Sequence, residues 1–231
     1  MAVAFSSANL YSATNATQLS FAVTNAGDAF CIFADYYYDT YGSDPGITVT
    51  CNGSTLTSNF SQSSGVYSAV TWKGYNKLSS SGTNNIVISS VGSVTLDYID
   101  ANVVCVSGAG ALTSSNSLVG GIAQDNANHV YPISISSQAN DLIVGFTNFN
   151  GSGLSLPIAM SGTYSSTPFW YNLTAGASPS VSITATYYGD STDTADYFLA
   201  GYSFAPSAAP SVTTKSQVIG PQIGVWTNSR L

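Results

Sequence analysis

Glutamate is absent from this chain, and four Lys and Arg side chains accompany 11 aspartates. Glu, Lys and Arg line the solvated faces of ordinary helices, so their loss leaves little from which to build an amphipathic helix. Charged residues make up 6% of the chain, against about 25% in a typical soluble domain. Hydroxyl, amide, β-branched and aromatic side chains take their place, and these suit pleated strands and turns. The sequence is still 44% hydrophobic. That is ample for a core, and disorder would need low hydrophobicity with high net charge.

Short apolar or alternating runs recur between Gly, Asn, Ser and Asp. Strands are expected near 2–7, 18–24, 29–36, 46–51, 66–73, 84–89, 93–106, 129–136, 140–148, 153–160, 167–173, 179–188 and 196–204. Asn52-Gly53 reads as a two-residue hairpin turn, because both residues tolerate positive φ. No window shows a sustained 3.6-residue apolar period. Residues 107–128 read as a long loop between two groups of strands, and no fixed-period repeat is evident. The expectation is an all-β fold: an antiparallel two-sheet sandwich of jelly-roll type over 1–205, as one domain.

The composition changes at APSAAPSV, residues 205–212. Proline fixes φ and resists helix, so 206–231 is expected to be a linker and C-terminal arm. Val218, Ile219, Ile223, Val225 and Trp226 are its candidate partner-binding residues, for docking on a neighbouring subunit. The other reading is a tail that wraps back on its own domain or stays unordered.

The net charge of −7 argues against nucleic acid and anionic membranes, which are bound through clustered Lys and Arg. The N-terminal segment MAVAFSSANLYS lacks the basic and apolar regions of a secretory signal, so folding in a cytoplasm is expected. Cys31, Cys51 and Cys105 are an odd number, widely spaced, and read as buried free thiols.

Chemistry has few candidates. His129 is the sole histidine, and no G-x-S-x-G elbow accompanies it, so catalysis through it is not expected. Three dispersed cysteines and one histidine do not make a zinc site. Eleven aspartates permit a glycosidase pair, but no feature selects one. Two aspartate groups lie in loop-like segments: Asp35, Asp39 and Asp44, and Asp190, Asp193 and Asp196. Flexible carboxylate-rich loops suit Ca²⁺, while turn residues accepting backbone N–H bonds are the simpler reading. Tyr36-Tyr37-Tyr38 with Tyr41, Phe169-Trp170-Tyr171 and Tyr187-Tyr188 can serve as core, subunit interface or glycan platform. No cofactor other than Ca²⁺ is expected.

The segment from Gly46 to Phe149 runs GITVTCNGSTLT, VYSAVTWKGYNKLSSSGTNNIVIS, VTLDYIDANVVCVSG and HVYPISISSQANDLIVGFTNF. With the upstream LSFAVTNAGDAFCIFA, it resembles a β-sandwich domain of tailed-bacteriophage virion proteins, also found in secreted bacterial surface proteins. The resemblance spans roughly 1–205 and leaves the arm outside. It implies a jelly-roll-like sandwich displayed on a surface, with no catalytic residues to carry over. The expected function is a non-enzymatic virion subunit of capsid decoration or fibre type, made in the host cytoplasm. Its expected partners are other virion proteins or copies of itself in a homo-oligomer. The alternative is a carbohydrate-binding sandwich, as a receptor-binding tip or secreted adhesin recognising a surface glycan.

Overall fold

The computed structural model describes residues 3–25, 28–38, 44–63, 70–78, 82–151, 159–160, 163–166, 169–172, 180–189 and 195–207. Among these there is no α-helix. The first nine strands are β1 (Ala4–Ala16), β2 (Gln18–Asn25), β3 (Ala29–Tyr37), β4 (Ile47–Cys51), β5 (Ser54–Thr55), β6 (Ser58–Ser63), β7 (Val70–Leu78), β8 (Gly82–Ser90) and β9 (Leu96–Ser107). Eight follow: β10 (Ala109–Gly121), β11 (Ala127–Ser136), β12 (Leu142–Gly151), β13 (Ala159–Met160), β14 (Thr163–Ser166), β15 (Phe169–Asn172), β16 (Ser180–Gly189) and β17 (Ala195–Pro206). The all-β antiparallel sandwich read from composition is what the chain forms, but its strands make four hydrogen-bonded sheets rather than two.

The strand orders are β1-β9-β3-β7-β6 and β2-β8-β4-β5 in the first half, and β10-β17-β12-β15-β14 and β11-β16-β13 in the second. Each half therefore winds the same way. The first, last, third and third-from-last strands of each share one sheet, with one short strand added at its edge, and the remaining strands form the other. That is jelly-roll order, written twice. The two rolls are joined at Gly108, between the end of β9 and the start of β10. Gly108 has φ 72°, a conformation that favours glycine. Its N–H donates to Asp28 Oδ2 and its carbonyl accepts from Ser207 N at 2.6 Å. The expected loop over 107–128 is thus corrected: Ala109–Gly121 is an edge strand paired with β17. Its LTSSNS stretch hides the strand, because an edge strand needs little apolar alternation.

Three cores lie between four layers. One fills the space between the two sheets of the first roll, with Phe30, Ile32, Tyr36, Ile86, Ile88 and Val103. Another fills the second roll, with Ile135, Ile143, Ile183, Tyr187 and Leu199. The third lies between the rolls, where Cys31, Phe33, Trp72 and Val104 of one meet Val144, Phe146, Phe198 and Tyr202 of the other. Along β3, successive side chains go alternately to the inter-roll core and to the first roll's own core, so AFCIFA is buried continuously. A strand covered on both faces reads as an unbroken apolar run. Outer strands have one wet face and alternate, as β8 and β11 do.

Aromatic rings set the inter-roll spacing. Phe33 stacks on Phe146 at 4.9 Å between centroids, and Trp72 lies parallel to Phe198 at 5.2 Å. Gly74 is required here, since a Cβ at that position would stand 2.1 Å from the Phe60 ring and 2.5 Å from the Tyr202 hydroxyl. The Asn52-Gly53 turn forms as read, with φ of 49° and 79°, and Asn52 Oδ1 accepts from Asn85 N at 2.8 Å.

Candidate functional site

A cluster of buried polar side chains lies in the inter-roll core. Asp35 on β3 stands opposite Asp100 on β9 and Trp72 on β7, and two residues earlier Phe33 stands opposite Asn102. Alternation along the strands puts Asp35, Asp100, Asn102 and Trp72 on the same sheet face. Across the seam Asn148 of β12 donates its Nδ2 to Asp35 Oδ2 at 3.4 Å. Asp35 Oδ1, Trp72 Nε1 and Asn102 Oδ1 are buried and make no hydrogen bond among the described residues.

Burial drives the electrostatics. Asp35 is pushed well above the ordinary carboxyl range, first by loss of water and then by the neighbouring Asp100 carboxylate. Desolvation also raises Asp100. Tyr98, stacked on Tyr37 at 5.9 Å, is raised by burial and by both aspartates. Two carboxyls on adjacent strands, both biased toward the protonated form, make this end of the seam sensitive to pH. The sequence carries one signal for it: an aspartate inside apolar runs that otherwise hold no charge, as in AFCIFADYY and YIDANVV.

The residues singled out from sequence are distributed differently. Asp44 accepts from the Tyr36 hydroxyl at 2.7 Å, from Gly46 N at 2.7 Å and from Thr71 Oγ1 at 3.1 Å. Tyr36 faces the first roll's core and Asp35 the inter-roll core, so Asp35 and Asp44 do not share a site. Asp39 lies outside the described residues, as do Asp190 and Asp193. Asp196 is buried at the start of β17. Among the described residues no group of three or more His, Cys, Asp or Glu is placed to hold a metal ion. Val218, Ile219, Ile223, Val225 and Trp226 also lie outside. Ala205 and Pro206, read as the start of the linker, are the last residues of β17.

His129 pairs with Asp125 at 2.7 Å, and the bond holds the Asp125 carboxyl below its usual range. Of the aromatic clusters, Tyr36 and Tyr187 are core residues, Tyr37 and Tyr38 are half-buried, and Tyr41 lies outside the described residues. The three thiols are buried and unpaired.

The fold defines a class: an all-β protein of two antiparallel sandwiches sharing a central core. No protein-family model matches the chain, and no curated protein matches it. Among solved structures, one titled as the crystal structure of the plant receptor-like kinase FER aligns over 87% of this chain and 83% of that one, at 8% identity with a TM-score of 0.28. A likeness at that level carries no argument about fold or function.

Proposed function

We propose that the protein is a non-enzymatic structural subunit of a tailed-bacteriophage virion, of capsid decoration or fibre type, that binds other virion subunits or copies of itself. The observation that supports this reading most is the inter-roll core. Two sandwiches fused through their inner sheets make a stiff block, and the surfaces left to meet partners are outer sheets and edges. Those surfaces hold few charges: β1, β2, β10 and β16 contain none. Association through such surfaces rests on shape and hydrogen bonds and responds weakly to salt. The segment that follows β17, through Val218, Ile219, Ile223, Val225 and Trp226, remains the proposed assembly element. The carbohydrate-binding alternative gains nothing from Tyr36 and Tyr187, whose rings pack in cores rather than forming an exposed platform.

The test is fractionation of particles from a culture of the source on a density gradient, probed with antibody to the sandwich. Signal travelling with intact particles is the expected result. Signal confined to soluble or envelope fractions contradicts the virion reading. Deleting 213–231 is expected to leave a folded domain that no longer joins the particle.

A further inference from the structure

We infer that strand β1 is a self-association edge, through which two copies of this chain pair antiparallel about a two-fold axis near Leu10 and join their β1-β9-β3-β7-β6 sheets into one. An edge strand offers a row of N–H and C=O groups to any strand that fits, and proteins usually protect such edges with Lys, Pro, bulges or brevity. Strand β1 is 13 residues long and pairs on one side only, with β9, among the described residues. Its one guard is a register shift near its start, between Phe5 and Ser7. Neither Pro nor any charged side chain occurs in residues 1–27, Asp28 being the first charge in the chain.

Other described edges are closed. Strands β5, β6, β13 and β14 are six residues or shorter. Strand β11 carries Pro132, and its Ser134 and Ser136 carbonyls accept from Asn116 Nδ2 and Ser114 Oγ. On β2 the Ala22 carbonyl accepts from the Tyr11 hydroxyl, and the Tyr11 ring stacks on Phe21 at 4.0 Å. Strand β10 lies against β6 and β7 and carries two register shifts. Strand β1 alone among these edges combines length with an unguarded ladder.

A second copy is the occupant that the charge pattern favours. In a two-fold antiparallel pair centred on Leu10, each side chain meets one from the same segment: Leu10 meets Leu10, Ala8 meets Ser12, and Asn9 meets Tyr11. A charged segment would face its own sign in that arrangement, and this one has no charge to repel. Leu10 is 57% exposed while Tyr11 beside it is committed to β2, so the large apolar side chain that β1 itself leaves open lies at the proposed axis. Opposed residues in an antiparallel pair have Cβ atoms about 4.5–5.5 Å apart, close enough for the two leucines to cover each other.

Sedimentation velocity on the full chain tests this, with three variants. The wild type is expected to show a concentration-dependent dimer, and Leu10→Lys to weaken it roughly tenfold or more by placing two cations face to face. Leu10→Cys is expected to form a disulfide-linked dimer under mild oxidant, while Val130→Cys, on the guarded edge β11, is not. Unchanged melting temperatures will show that Leu10→Lys acts on association rather than folding. The inference is overturned by a wild type that stays monomeric into the high micromolar range, or by a dimer that Leu10→Lys leaves intact. It is equally overturned by a dimer that disappears on removing 208–231 while Leu10→Lys has no effect, which would give the edge or the interface to the arm.

Discussion

The two rolls use one winding order with two different chemistries at their shared face. Phe33 is the fifth residue of β3 and Phe146 the fifth of β12, so equivalent positions stack on each other at the centre of the seam. Two residues on, the equivalents diverge: Asp35 in the first roll faces Asn148 in the second. A matched pair of carboxylates there would be buried like charges, which is costly, whereas a carboxyl and an amide can bond. Among the described residues the outer sheets hold four strands in the first roll and three in the second. The comparison teaches that a two-fold-like face keeps its apolar centre self-complementary and resolves its polar rim by breaking the symmetry.

The largest expected effect comes from the aromatic seam. Trp72→Ala removes a fully buried ring stacked on Phe198, and a cost of about 3–5 kcal/mol is expected from urea unfolding. Gly74→Ala comes next. Its Cβ meets two rings at the seam, one from each roll, and overpacking of this kind costs about 1–3 kcal/mol. Gly201→Ala tests the second roll's own core. It meets flexible isoleucine ends at 2.9 Å and 3.1 Å, so the smaller loss is expected there.

The acidic end of the seam gives a pH test. Asp35 has a folded pKa raised well above 3.8, so its protonated form stabilises the fold. That stability is complete below the ordinary carboxyl pKa and is lost as pH rises from there toward the raised value, at up to about 1.4 kcal/mol per pH unit. Unfolding free energy measured across this range is expected to fall with pH in the wild type and to flatten in Asp35→Asn. Asn148→Asp is expected to steepen the fall. Identical profiles in all three would remove the seam from the account. The smallest effect is expected at the hairpin. Asn52→Ala puts a less tolerant residue at φ 49° and removes the acceptor for Asn85 N, for about 1 kcal/mol by thermal melting.

How far the sequence carries can be seen strand by strand. Missing Glu and scattered cations argue against helices, and the described residues hold no α-helix, while Asn52-Gly53 announces its own turn, because these are local properties. The duplication is not legible, since the same backbone order is filled by AFCIFADYY in one roll and LIVGFTNFNG in the other. No side chain at a fixed period is needed when winding order rather than sequence repeats. The unbroken burial of β3 is visible as an apolar run, but a two-sheet sandwich has no inner layer to account for it, and the second roll that covers its other face lies far along the chain. Asp35 reads as a loop ligand from sequence because its neighbours YYYDT look loop-like. Its place depends on β9 and β12, which lie far along the chain, and no local pattern carries that.

The central claim is that the rolls share one core and so stand or fall together. Hydrogen exchange with mass spectrometry on Phe146→Ala tests it most directly. Phe146 belongs to the second roll but packs against Phe33 of the first. The account predicts that protection drops in β3 and β9 as well as in β12 and β17. Loss confined to residues 109–206, with the first roll as protected as in the wild type, would contradict it.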